Sequence, residues 1–93
     1  MSRLDEATVA EELVRTPGWK RSGRAIERTW RFAGFKEAMV FVNGVAVLAE
    51  RENHHPDVTI HGNEVTLSLW THSAGGLTAR DFELARTIAA LGS

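Results

Sequence analysis

All four histidines of the chain fall within a short span, at His54, His55, His61 and His72, and two of them are adjacent. An imidazole titrates at about 6.5 when unperturbed, so at neutral pH one ring can donate a proton while another accepts one. A cluster of this kind suits a metal site, an acid–base site or a plain polar surface. Two or three histidines with Glu50, Asp57 or Asp81 have the ligand chemistry of a zinc site. The spacing is poor for it. Side chains of neighbouring residues diverge from an extended backbone, no histidine pair stands at i, i+4 on a helix, and the chain has no cysteine. The surface reading suits His61, beside a turn on an outward strand face. It suits "NHHP" and "WTH" less well, because Pro56 fixes the chain direction directly after the histidine pair. Ser73 follows His72, but nothing around it resembles a nucleophile elbow, and "SAGG" is a turn rather than a phosphate loop. Acid–base chemistry is what these residues support best, with Glu50 and Asp81 as carboxylates able to hold a tautomer.

The elements around the cluster must bring it together. Asp57–His61 and Glu64–His72 read as strands joined by Gly62-Asn63, a two-residue hairpin turn. Pairing outward from that turn sets His54 opposite Thr71 and His55 opposite Trp70, with His72 one step beyond. His54, His55 and His72 are therefore expected around one hollow, and His61 outside it. Val58, Ile60, Val65, Leu67 and Leu69 should face inward, and Thr66, Ser68, Trp70 and His72 outward.

Before the histidines, the pattern from Phe35 to Glu52 predicts a long helix after Gly34, with Phe35, Ala38, Met39, Val42, Val45, Ala46 and Ala49 on one stripe. Val40, Phe41, Val47 and Leu48 lie off it, and this second apolar surface predicts a subunit interface. The helix end leaves carbonyls free to accept from an imidazole. Upstream, Asp5 caps a first helix with Leu4 and Val9 as its staple, and "TPGW" ends it. A hairpin follows: Trp19–Arg21, a Ser22-Gly23 turn, then "AIERTWRF", where Ile26, Trp30 and Phe32 share a face and Arg28 breaks the alternation. A last helix runs from Ala79 to about Leu91, with Thr78 as cap, Asp81 completing a short capping box, Leu77 and Phe82 as staple, and Phe82, Ala85, Ile88 and Ala89 buried. The expected fold is α+β: a two-layer sandwich, order α-β-β-α-β-β-α, with a four-stranded antiparallel sheet and three helices on one face.

Ninety-three residues suit one domain spanning 1–93, small enough that oligomerisation would help bury its surface. Eleven basic residues against twelve acidic ones, a formal net charge of −1, exclude the basic footprint of a direct nucleic-acid reader. Lack of cysteine suits a reducing compartment, and the N-terminus has no apolar run of the signal-peptide kind. The apolar stretch from Ala38 to Ala49 is too short to span a bilayer. The expectation is a soluble cytoplasmic protein with no membrane contact.

The motifs Glu-x-x-x-His-His-Pro over 50–56, Thr-His at 71–72 and Ala-Gly-Gly-Leu-Thr-x-x-Asp ending at Asp81 resemble the pterin-4a-carbinolamine dehydratase family, as do "GW", "WRF" and the long helix. The resemblance covers nearly the whole chain. It implies dehydration of 4a-hydroxytetrahydropterin to quinonoid dihydropterin, in tetrahydrobiopterin recycling, with no metal or cofactor and with an aromatic amino acid hydroxylase in the same pathway. It implies that His54, His55 and His72 are the active-site histidines, His54 and His72 exchanging protons and His55 holding the pterin. Glu50 and Asp81 would orient imidazoles, and Asn53, Pro56, Trp70, Thr71 and Ser73 would bind or orient substrate. Two departures touch affinity: Gly62 stands where an aromatic is frequent, and Asn53 where an acid is frequent. Family members also act as non-enzymatic partners, one of them a dimerisation cofactor of a homeodomain transcription factor, so an interaction protein of the same fold is the alternative.

Overall fold

The computed structural model describes residues 2–92. Its elements follow the order α1 (Glu6–Val14), β1 (Lys20–Ser22), β2 (Ala25–Arg31), α2 (Phe35–Glu52), β3 (Asp57–His61), β4 (Glu64–Leu69) and α3 (Ala79–Gly92). The four strands form one antiparallel sheet in the order β1-β2-β4-β3. This is the expected α+β sandwich. Ile26 and Trp30 of β2 and Val65, Leu67 and Leu69 of β4 supply the sheet's share of a single core, which Val9, Phe41, Val45, Phe82 and Ile88 close from the helices. The opposite face carries polar residues, including Thr29 and Thr66, whose hydroxyls meet at 2.8 Å across the β2–β4 pair.

Local chemistry sets the element ends. Asp5 accepts a hydrogen bond from the Thr8 N–H at 2.8 Å and so caps α1. At the end of α2, Asn53 takes the left-handed conformation (φ 50°, ψ 44°), the only positive φ among the described non-glycine residues. The Asn53 and His54 N–H groups then donate to the Glu50 and Ala49 carbonyls, a Schellman closure that turns the chain from helix to strand. In α3 only half of the capping box forms. The Asp81 carboxylate accepts from the Thr78 N–H, while the Thr78 hydroxyl turns away to Thr71.

Several expectations shift. The first strand is displaced by one residue and its turn is Gly23-Arg24, with Gly23 at φ 60°. Arg28, the break in the β2 pattern, lies with its guanidinium 4.7 Å from the Trp30 ring, and so covers the core edge with its stem. β4 ends at Leu69 rather than His72, and His72–Ala74 form a 3₁₀ turn closed by Gly75. On α2, Phe41 is not surplus surface: it is buried against Trp30 and Phe32 at ring separations of 4.8 and 5.1 Å. The faces left open carry Phe35, Val40 and Val47. Val58 and Ile60 pair with the buried Leu67 and Val65, yet are 43% and 38% exposed, because β3 is an edge strand that the helices do not fully cover.

Candidate functional site

Two turns place the histidines. The Schellman closure of α2 delivers His54 and His55 to the end of β3 away from the Gly62-Asn63 turn. Opposite them, the chain leaving β4 folds into a tight loop in which Thr71 and Gly76 exchange backbone hydrogen bonds of 2.9 and 3.3 Å. His61 lies exposed at the other end of β3.

His54 is buried, and its Nε2 sits 2.5 Å from Asp81 Oδ1. Asp81 is fully buried, and its Oδ2 also accepts from the Thr71 hydroxyl at 2.8 Å and the Thr78 N–H at 2.9 Å. The Thr71 and Thr78 hydroxyls are 2.8 Å apart. Proton bookkeeping orders this network. Thr71 gives its one hydroxyl proton to Asp81, so Thr78 must donate to Thr71. Every donor points toward the carboxylate, and His54 meets it with Nε2–H, which leaves Nδ1 as the free ring nitrogen. Asp81 thus ties the start of α3 to the end of α2.

His55 turns elsewhere. Its Nε2 is 2.6 Å from Glu50 Oε2, in a pair whose side chains are 58% and 78% exposed, so solvent screens the attraction. His55 lies at a hollow of about 270 Å³ between α2 and β3, with Val42, Ala49, Glu50, Pro56 and Val58 among its walls. His54 borders a separate hollow of about 190 Å³ with Glu52, Arg80 and Glu83. His72 is exposed and stacks on Trp70, with ring centroids 3.8 Å apart and an interplanar angle of 26°. Arg24 stands 5.0 Å from the same indole. The three rings therefore occupy one end of the β3–β4 hairpin but do not line one hollow as expected. Neighbouring residues of an extended segment point apart, and His72 belongs to the 3₁₀ turn rather than to the strand. Ser73 lies exposed in that turn, and Asn53 is committed to helix termination. Among the described residues no group of three or more His, Asp and Glu side chains lies close enough to hold a metal ion.

Sequence reasoning missed Arg80 and Arg24, and gave Thr78 only as the cap of α3. Arg80 donates to the Glu52 and Asn53 carbonyls at 2.9 and 2.8 Å, the role expected for an imidazole. A signal existed: a cation in the first turn of α3 opposes that helix's dipole, and so implies service to another helix's C-terminus. For Arg24, at a hairpin tip, the spacing carries no signal.

The fold and this corner define a class: a small α+β domain whose hairpin end presents three imidazoles, two of them against carboxylates. The family model described as pterin 4 alpha carbinolamine dehydratase matches residues 2–91, and the chain belongs to that family. It is 57% identical over 93 residues to a relative from Thermomicrobium roseum, covering 100% of both chains. It is 51% identical to one from Chloroflexus aurantiacus over 95% of each. Both relatives are named provisionally as pterin-4-alpha-carbinolamine dehydratases. The crystal structure of a transcriptional coactivator/pterin dehydratase from Brucella melitensis superposes with a TM-score of 0.95 at 34% identity, covering 99% of this chain and 100% of that one. A pterin dehydratase-like protein identified as a RuBisCO assembly factor in the alpha-carboxysome shares the fold alone, with a TM-score of 0.70 at 19% identity over 82% of this chain and 90% of the other.

Proposed function

We propose that the protein is a hydro-lyase that removes water from a 4a-hydroxytetrahydropterin by histidine acid–base catalysis. The carbon–oxygen bond at C4a breaks, the hydroxyl leaves as water after taking up a proton, and the ring nitrogen N5 gives up its proton, leaving the quinonoid dihydropterin. Acid and base are needed together, each contributing about 10²–10⁴-fold. The observation that carries this reading is the pairing at the hairpin end. His54 and His55 each meet a carboxylate through Nε2, while His72, stacked on Trp70, stands exposed.

Burial favours a division of labour different from the expected one. His54 is sealed by Asp81 and α3, so it acts as the positioning group, and the exposed His55 and His72 handle the protons. The testing experiment is carbinolamine dehydration by purified protein, with and without a chelator. His55→Ala and His72→Ala should each lose most of the rate while staying folded, and a chelator should change nothing. Wild type no faster than buffer refutes the proposal. The family motif supports a role in tetrahydrobiopterin recycling beside a hydroxylase, and the lack of cysteine suits a reducing compartment such as the cytoplasm. No helix among the described residues is long and apolar enough to cross a membrane.

A second reading, an interaction protein of the same fold, draws on the open apolar faces. Phe35, Val40 and Val47 on α2 and Val58 and Ile60 on the edge strand are exposed. The Brucella relative is described as a transcriptional coactivator as well as a pterin dehydratase, which supports this reading too. Self-association through α2 uses the same surface. Light scattering should then show a homo-oligomer for wild type and a smaller mass for the Val40→Glu/Val47→Glu double variant. An unchanged mass removes this face from the interface.

A further inference from the structure

A cleft of about 470 Å³, larger than either histidine hollow, opens between the N-terminal segment, the tip of the β1–β2 hairpin and the Gly75–Leu77 loop. Its size is that of a small-ligand site. Three arginines border it, Arg3, Arg21 and Arg24. Two carboxylates border it as well, and both are engaged. Asp5 accepts from the Thr8 N–H, and Glu6 takes Arg21 in a two-pronged bond of 3.0 and 3.2 Å. Among the described residues no carboxylate forms an ion pair with Arg3 or Arg24. The Gly75 and Gly76 N–H groups are spent on the His72 and Thr71 carbonyls, so Arg3 and Arg24 are the charged donors on offer.

The placement of Arg3 is built into the fold. The Leu4 N–H donates to the Leu77 carbonyl at 2.8 Å and lays the N-terminal segment along the loop. The stem of Arg3 then crosses Gly76, where a Cβ would meet Arg3 Cδ at 2.5 Å, so the bare glycine makes room for it. Arg24 connects the cleft to the histidine corner, because its guanidinium lies 5.0 Å from the Trp70 ring on which His72 stacks. A ring bound beside His72 would have a substituent within reach of that guanidinium.

We propose that this cleft binds the phosphate-bearing side chain of a pterin, with Arg3 and Arg24 as its ligands and the Arg21–Glu6 pair, neutral in sum, as a fixed rim. Guanidinium forks match phosphate oxygens in charge and geometry. The assignment rests on the dehydratase reading for the ring and adds a substrate class, a pterin whose side chain ends in a phosphate or pyrophosphate rather than in hydroxyls.

The test is calorimetric and needs no turnover. Two stable pterins with the same ring, one with a neutral side chain and one with a phosphate-ended side chain, are titrated into the full chain, with inorganic phosphate as a third ligand. The phosphorylated pterin should bind about tenfold or more tightly than the neutral one, the value of a charge-assisted contact. The advantage should shrink with added salt. Arg3→Gln and Arg24→Gln, both checked for native circular dichroism, should abolish it, and Arg3→Gln should leave binding of the neutral pterin unchanged. Equal affinities in wild type, or an advantage that survives both substitutions, overturn the proposal. Inorganic phosphate binding as tightly as the phosphorylated pterin overturns the side-chain assignment and gives the cleft to free phosphate. A phosphate advantage in a protein without dehydration activity would sink the dehydratase reading alone, and turnover without the advantage would sink this one alone.

Discussion

Replacing Asp81 tests the network on which the histidine corner is built. Asp81 is fully buried and accepts from three donors, the His54 Nε2–H, the Thr71 hydroxyl and the Thr78 N–H. Asp81→Ala strands all three. A buried donor left alone costs about 1–3 kcal/mol, but losses that share one acceptor do not simply add. Each lost bond ran to a charged carboxylate and so was worth about 1.5–3 kcal/mol, and a shared loss of about 3–5 kcal/mol, below the sum of the three, is expected. With a urea m-value of about 2 kcal/mol/M, the unfolding midpoint should fall by about 2 M. Asp81→Asn keeps the shape and separates charge from volume. The Thr78 N–H cannot reverse its direction, so the amide oxygen must stay on that side and the NH₂ must face His54. His54 then has to accept at Nε2 and carry its proton on Nδ1. The stability loss should be smaller, about 1–2 kcal/mol, the difference between charge-assisted and neutral bonds. Urea unfolding measures both losses, and ¹H–¹⁵N correlation of the His54 ring reports the tautomer. An Asp81→Ala loss under about 1 kcal/mol, or an Asp81→Asn protein whose His54 keeps the Nε2–H form, refutes the derivation.

Three further outcomes follow from single sites. Phe41→Ala should destabilise by about 3–5 kcal/mol in a chemical melt, since Phe41 packs on Trp30 and Phe32; a loss under about 1 kcal/mol would return it to the surface. Asn53→Ala should cost about 1–2 kcal/mol because of its left-handed backbone, while Asn53→Gly should be neutral or better, and equal effects of the two on the urea midpoint would dismiss backbone strain as the cause. The hydrogen bond from the Thr8 N–H holds Asp5 below its ordinary value of 3.8. Its cap is therefore complete above that value and is lost as pH falls through the depressed folded pKa. The Thr8 amide shift should titrate with a midpoint under 3.8, and a midpoint at or above 3.8 contradicts the cap.

Much of the site was legible because its motifs are local. "NHHP" follows a helix and "WTH" ends a hairpin whose turn chemistry is explicit in Gly62-Asn63, so the pairing of β3 with β4 could be counted outward from the turn. Asp81 was visible both as a capping residue and as a carboxylate for an imidazole, and it is hydrogen-bonded in both ways. The direction of each ring was not legible. Once the chain leaves the ladder at Leu69, a 3₁₀ turn replaces strand alternation, and His72 takes its orientation from the Trp70 stack instead. Phe41 was misplaced for a related reason. Several stripes of α2 are apolar, and the residues that are covered depend on where Trp30 and Phe32 lie, which periodicity within the helix cannot report.

The residue pattern by itself determined the order of elements, the antiparallel hairpins and the collection of three of the four histidines at one end of β3–β4, because caps, turns and period-two alternation act between residues close in sequence. Tertiary structure alone decided that Asp81 gathers His54, Thr71 and Thr78, that His55 faces the α2–β3 hollow, and that Arg3 and Arg24 border a cleft beside Trp70. Those contacts join segments far apart in the chain. Their geometry follows from how the helices settle on the sheet, a packing of the whole core that no short stretch encodes.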